Sequence, residues 1–152
     1  MIVYVSGALK ASRDLSRARA LYEEAARIVV DAGHQAYLPH QTTDPLHNAD
    51  ASPAQVFQQD VLALMQADGV VAFLNEPSLG VGAELALCTQ AGTRVLGLHN
   101  TDSDVSRFAV GLLEAHGGRL VQYDELENIE EAILRFLEDL TRDHSFKRGR
   151  SL

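Results

Sequence analysis

Two carboxylates and one run of small residues set the chemical possibilities of this sequence. The stretch Asn75-Glu-Pro-Ser-Leu-Gly-Val-Gly-Ala-Glu-Leu85 places glycines at 80 and 82 just ahead of Glu84. Glycines there let a ligand approach the backbone, and free amides at a helix start can receive an anion, with Ser78 as an added donor. A phosphate suits such a cradle. The Gly-X-Gly lacks the third glycine of a dinucleotide fingerprint and follows the third strand, which argues against a Rossmann cofactor site. Glu84 falls in the first turn of the helix that follows, where the macrodipole favours an ionised carboxylate. Such a carboxylate is the nucleophile a sugar anomeric carbon needs, because a negative oxygen meets the oxocarbenium-like transition state. It is also what merely satisfies a helix dipole, and spacing alone does not choose.

Asp60 is the second carboxylate of interest. It stands three residues after Phe57 and four before Leu64, within the apolar stripe of a helix, where a half-buried acid suits proton donation to a leaving group. An acid at the stripe's edge, pointing outward, fits the same spacing. Tyr4 and Gly7 would share a sheet edge with Glu84 if the first and third strands are neighbours, and a phenol there could orient the carboxylate. A strand tyrosine can also be plain packing. Lys10, in the loop after the first strand, could meet a phosphate or simply be solvated, and His40, after the second strand, could line a pocket. Asp14 reads as a helix N-cap and Asp68 as a turn residue. Cys88 follows Glu84 by one helical turn with no histidine near it in sequence, so it reads as core. The six histidines show no spacing such as His-Glu-X-X-His, and no metal site is expected.

The elements that must hold these residues follow from hydrophobic patterning. Short β-branched runs alternate with longer segments whose apolar residues recur every three or four positions, the pattern of a parallel sheet between helix layers. Strands are predicted at 2–6, 34–38, 69–74, 94–98 and 119–123. A first helix carries Leu15, Ala18, Leu21, Ala25, Ile28 and Val29 on one stripe and ends before Gly33. A second starts at Ser52-Pro53, an N-cap residue and then proline at the first helical position, and runs to about residue 66. A third follows Gly82, a fourth covers 106–115, and a fifth covers 127–140. Right-handed crossovers make this a doubly wound, Rossmann-like α/β fold: a five-stranded parallel sheet with helices on both faces. Its ligand site belongs beyond the carboxyl ends of the strands, among loops 7–13, 39–51, 75–82 and 99–105. Residues 1–142 read as one domain and 143–152, with Lys147, Arg148 and Arg150, as a frayed tail.

Composition narrows the class. A chain of 152 residues, 46% apolar, has the core of one ordinary domain. The net charge of -8, from 21 acidic against 13 basic residues, repels polyanions, so neither a nucleic-acid polymer nor an anionic membrane is the expected partner. One cysteine forms no internal disulfide, which suits a reducing, cytoplasmic setting. The N-terminal apolar run is too short for a signal peptide, and nothing approaches the roughly 20 apolar residues of a membrane span, so a soluble, unprocessed protein is expected.

Three stretches carry a family resemblance: Asp60-Val-Leu-Ala-Leu-Met-Gln-Ala-Asp-Gly-Val-Val-Ala72, Pro77-Ser-Leu-Gly-Val-Gly-Ala-Glu-Leu85 and the opening Val3-Tyr-Val-Ser-Gly-Ala-Leu-Lys10. They resemble the nucleoside 2-deoxyribosyltransferase family, most of all its 2'-deoxynucleoside 5'-phosphate N-hydrolase branch, and the similarity extends to about Tyr123. The resemblance implies that Glu84 attacks C1' of a sugar, that Asp60 protonates or holds the departing base, that Tyr4 orients Glu84, and that His40 approaches the base. It implies that Ser78 and the amides of Gly80 and Gly82 hold a 5'-phosphate. Ser106 aligns with a family serine that reaches the phosphate from a second subunit, so a homodimer is expected. Ser78 and Lys10 favour a nucleotide over a nucleoside. The loop Gly7-Ala-Leu-Lys-Ala-Ser12 departs from the branch's Gly-Ser-Ile-Arg-Gly-Gly. Arg107-Phe-Ala-Val-Gly-Leu-Leu-Glu114 is similar to members that hydrolyse cytidine monophosphate, which leaves ribose and deoxyribose both open.

The leading expectation is hydrolysis of the N-glycosidic bond of a (deoxy)nucleoside 5'-monophosphate, releasing free base and sugar 5-phosphate. The alternatives are a transferase that exchanges bases on deoxyribose and a non-catalytic nucleotide-binding module. No cofactor is expected, since double displacement takes both nucleophile and acid from the protein.

Overall fold

A computed structural model of the chain describes residues 1–9, 12, 14–42 and 50–149, with side chains as far as Asp143. Among these residues five parallel strands, β1 (Ile2–Gly7), β2 (Gln35–Tyr37), β3 (Gly69–Phe73), β4 (Arg94–Asn100) and β5 (Arg119–Tyr123), form one sheet in the order β2-β1-β3-β4-β5. Each predicted strand is present, with ends within about two residues of those expected. The chain steps to one side of β1 to make β2 and to the other to make β3. The switch point of the doubly wound sheet therefore lies between β1 and β3.

Among the described residues six helices, α1 (Leu15–Asp31), α2 (Pro39–Thr42), α3 (Pro53–Gln66), α4 (Leu79–Gln90), α5 (Arg107–Ala115) and α6 (Leu126–Gly149), cover the sheet. Strand alternation divides the core between its two faces. Val3, Val5, Val71, Phe73, Leu96 and Leu98 pack with α1 and α6, whereas Tyr4, Val70, Ala72 and Val95 pack with α3, α4 and α5. No described helix is long and apolar enough to cross a membrane.

Local chemistry fixes the ends. Asp14 accepts from the Arg17 amide at 3.0 Å as the N-cap of α1, and the chain leaves that helix through Gly33, whose φ of 83° lies in the left-handed region. Ser52 and Gln55 close a capping box at α3, with Pro53 following the cap. Gly7 ends β1 where a Cβ would stand 2.2 Å from Cζ of Tyr22. The missing side chain lets that ring cover the strand end and donate to the Ala8 carbonyl at 3.0 Å.

Three elements differ from expectation. α4 begins at Leu79 rather than after Gly82, because Ser78 caps it by accepting from the Val81 amide, so Gly80 and Gly82 lie inside the helix. The first part of the predicted loop 39–51 is the short helix α2, and residues 43–49 lie outside the described set. α6 continues past 140 to Gly149, so the tail expected from 143 is helical up to that glycine. No glycine or proline interrupts residues 126–148, and the Thr141 hydroxyl folds back onto the Leu137 carbonyl at 2.8 Å.

Candidate active site

Tyr4 and Ser6 are two residues apart in an extended strand, so both side chains leave β1 on the α4 side, about 7 Å apart along the strand. Both are fully buried. Glu84 comes down onto them from α4. The Tyr4 hydroxyl donates to Glu84 Oε1 at 2.8 Å, and the Ser6 hydroxyl donates to Oε2 at 2.5 Å. Because α4 starts at Leu79, Glu84 lies in its second turn, one turn deeper than expected. The helix dipole counts for less at that depth, and the carboxylate is held instead by two hydroxyl donors.

Burial pushes the Glu84 carboxyl above the ordinary carboxylate range. The Ser6 and Tyr4 hydrogen bonds pull it down, and the negative charge of Asp60 adds to the rise. The Tyr4 phenol is driven far above its ordinary value, first by burial and then by the charge and hydrogen bond of Glu84. It stays protonated and serves the carboxylate only as a donor.

Asp60 is half-buried midway along α3, as the position within the apolar stripe suggested. The link between the two carboxylates is a tyrosine that sequence reasoning missed. Tyr37 pairs with Tyr4 in the β1–β2 register and lays its ring over it, with centroids 5.3 Å apart and planes 23° from parallel. Its hydroxyl donates to Asp60 Oδ1 at 3.2 Å and shares a 2.9 Å hydrogen bond with Thr42 Oγ1. A stacked tyrosine pair thus stands with one hydroxyl on each carboxylate. A carboxylate able to attack and a second carboxyl group able to handle a proton are the parts of a glycosidic displacement.

The start of α4 is the candidate anion cradle. The helix leaves the Leu79 and Gly80 amides outside its own ladder, whereas the Gly82 amide donates to the Ser78 carbonyl at 3.0 Å and so has its bond already. A Cβ on Gly80 would meet only Ser78 Oγ, at 3.8 Å, and one on Gly82 would meet nothing within 4 Å. Crowding within the chain does not require these glycines, and the backbone there lies open. Asn75, at the carboxyl end of β3, braces this turn. It donates to the Tyr123 hydroxyl at 2.6 Å, accepts from the Asn100 amide at 2.8 Å, and its carbonyl accepts from Ser103 at 3.0 Å.

Residues 3–132 match the sequence profile of nucleoside 2-deoxyribosyltransferases. The chain belongs to the nucleoside 2-deoxyribosyltransferase family. A protein of Methanococcoides burtonii, provisionally named 2'-deoxynucleoside 5'-phosphate N-hydrolase 1, is 25% identical over 113 residues, 73% of this chain and 90% of its own. The human 5-hydroxymethyl-dUMP N-hydrolase is 38% identical over 79 residues, 52% of this chain and 45% of that one. The fold matches the Clostridium botulinum CMP N-glycosidase at a TM-score of 0.66 and 19% identity, over 91% of this chain and 98% of that one. As a member of the nucleoside 2-deoxyribosyltransferase family, the chain is an enzyme of the N-glycosidic bond.

The other residues singled out from sequence fall in different places. His40 is buried, with its Nε2 3.2 Å from Glu23 Oε1 of α1 and its ring 6.3 Å from that of Tyr22. Lys10 lies outside the described residues. Ser106 is exposed at the N-cap of α5, and its side chain makes no capping bond. Cys88 is core: it is buried, its thiol donates to the Leu85 carbonyl at 3.3 Å, and burial pushes it up to about 11. Among the described residues no three of His, Cys, Asp and Glu gather as a metal-binding group. A depression lined by Met1, Ile2, Gly33, His34, Gln35 and Asp68 lies at the opposite end of the sheet, away from both carboxylates.

Of the two residues missed, Ser6 had a signal in the sequence and Tyr37 did not. Ser6 is the i+2 neighbour of Tyr4 and must share its face, while Tyr37 becomes visible only once the β1–β2 register is known.

Proposed function

We propose that this chain hydrolyses the N-glycosidic bond of a (deoxy)nucleoside 5'-monophosphate through a glycosyl-enzyme on Glu84. The observation that carries the reading is the doubly held carboxylate of Glu84, with Asp60 placed beyond a stacked tyrosine pair. In the first step a Glu84 oxygen attacks C1', the C1'–N bond breaks with its electrons going to the base, and Asp60 supplies or steadies the proton the base acquires. In the second step water attacks C1' and gives up a proton to the Asp60 carboxylate, the glycosyl ester opens, and Glu84 leaves as carboxylate. The products are free base and sugar 5-phosphate.

The nucleotide, rather than the nucleoside, is favoured by the exposed start of α4. The amides of Leu79 and Gly80 and the Ser78 hydroxyl stand about 6–9 Å along the helix axis from Glu84. Relatives named for hydrolysis of nucleotide N-glycosidic bonds support the same choice. The family name also supports transfer to a second base as the alternative fate of the intermediate.

The partner is a second copy of this chain. Phe57, Leu79 and Phe108 are 62%, 96% and 81% exposed on α3, α4 and α5, the helix layer that holds both carboxylates. A two-fold interface over that layer would cover them and bring Ser106, two residues before Phe108, to the neighbouring site.

The deciding experiment incubates wild-type chain and Glu84→Gln with ribo- and deoxynucleoside 5'-monophosphates and with nucleosides, then quantifies free base by chromatography. Base released from a monophosphate by wild type alone is the expected result. Release only when a second base is supplied identifies the transferase, and binding without release identifies a nucleotide-binding module.

A further inference from the structure

We infer that Ser6 is a positioning residue for Glu84, its buried hydroxyl fixing the second carboxylate oxygen so that the group is held in one plane and kept ionised. The inference rests on Glu84 being the nucleophile. Ser6 is fully buried and sits opposite Ala72 in the β1–β3 register, at the switch point of the sheet. A buried hydroxyl is costly without a partner, and this one donates to Glu84 Oε2 at 2.5 Å, the length of a charge-assisted bond.

The geometry needs both donors. With Tyr4 alone on Oε1 the carboxylate is free to turn about its last bond, because that torsion is broad. With Ser6 on Oε2 the plane is set. Two ionised oxygens offer roughly four acceptor directions, and two donors leave one on each oxygen, enough for attack on C1' while the clamp is kept. Burial and the charge of Asp60 both oppose ionisation of Glu84, and the Ser6 bond is the largest effect acting the other way, ahead of that of Tyr4. When water opens the glycosyl ester, the same donor receives the returning carboxylate. In a strand of otherwise apolar or aromatic side chains, Ile2-Val-Tyr-Val-Ser-Gly7, a serine on the Tyr4 face is the one residue able to do this.

The test uses the full chain with Ser6→Ala and Ser6→Thr. The Glu84 carboxyl is titrated by carbon NMR, its resonance assigned by its loss in Glu84→Gln, and the pH profile of kcat/KM is recorded alongside. Ser6→Ala is expected to raise the Glu84 titration and the acid limb of kcat/KM together by about one pH unit. Near neutral pH, kcat should fall about tenfold, KM should change by less than about twofold, and Ser6→Thr should restore both readouts. A Ser6→Ala chain that titrates like wild type, or a folded Ser6→Thr chain that behaves like Ser6→Ala, overturns the proposal. If Ser6→Ala does not fold, Ser6→Cys replaces it, with a near-isosteric weak donor and an intermediate shift expected, and an unshifted titration again counts against the clamp. Full turnover by Glu84→Gln removes the nucleophile reading instead, while the NMR titration still decides whether Ser6 holds the carboxylate.

Discussion

Tyr4 and Tyr37 lie ring on ring at 5.3 Å, one donating to Glu84 and the other to Asp60. The stack therefore sets where each carboxylate stands relative to the other, although α3 and α4 carry them on separate helices. Moving either ring should change the distance a substrate must span between nucleophile and acid, and positioning errors of this kind are costly in rate.

Tyr37→Phe separates stacking from hydrogen bonding. It keeps the ring and removes the donor to Asp60 and the partner of Thr42. The expected loss in kcat is about tenfold, with a near-normal melting temperature; Tyr37→Ala, which also removes the stack, should lose about a further tenfold. Steady-state rates and thermal melts of the two variants check this. Equal losses would mean that the hydroxyl matters and the stack does not.

Glu84 should also leave a mark on stability. Its folded carboxyl titrates above its unfolded value because burial outweighs the two hydroxyl donors. Between those two values the folded chain binds more protons than the unfolded one, so stability falls as pH rises through that window. Glu84→Gln removes the buried charge while keeping the shape, and should melt higher than wild type at pH 8 by about 2–4 °C, of the order of 1 kcal/mol. The gap should close toward pH 4. Melting curves across pH decide, and a variant less stable than wild type at pH 8 contradicts this reading of burial.

Much of this arrangement was legible beforehand, for identifiable reasons. Alternating β-branched runs located all five strands, and the Ser52-Pro53 pair placed the start of α3, because each is a local signal with a local cause. Ser78 and Glu84 stood out from a single stretch of sequence. The start of α4 was misplaced because glycines suggest a turn, whereas the Ser78 cap lets the helix form through them. The extension of α6 was missed because charged residues after Thr141 resemble a solvated tail as much as a helix. Tyr37 and the Asn75 brace depend on cross-strand register and on contacts spanning 23 to 48 residues, which periodicity does not encode. The contact of His40 with Glu23 was not visible either, because a histidine after a strand says nothing of which face its ring takes.

Gly7 offers a test of packing at the edge of the site. An alanine methyl there would stand 2.2 Å from Tyr22 Cζ, so either the ring must leave the strand end or β1 must shift. Gly7→Ala is expected to cost about 1–3 kcal/mol and to break the bond from Tyr22 to the Ala8 carbonyl. Tyr22→Phe loses only that bond, about 1 kcal/mol, whereas Tyr22→Ala costs about 3–5 kcal/mol, and its combination with Gly7→Ala should cost less than the sum of the two single changes because the clash is gone. Denaturant titration of the four variants distinguishes a steric clash, which makes the double variant's loss less than additive, from a need for glycine's backbone, which leaves it additive.

The assembly proposal can be decided by complementation. If Phe108 and Leu79 are covered by a second copy, Phe108→Glu buries a charge at the interface and should yield a monomer in sedimentation. That variant alone does not show whether the partner contributes to chemistry. Ser106 makes no capping bond and stands exposed within its own chain, so a role at a phosphate is supplied either to its own site or across the interface. Mixing Glu84→Gln chains with Ser106→Ala chains separates the two. Across the interface, each heterodimer pairs an intact Glu84 with an intact Ser106 from its neighbour, and random reassortment should restore about a quarter of wild-type activity. Within one chain, every site in the mixture lacks one of the two residues, and activity should not exceed that of the Ser106→Ala chains present.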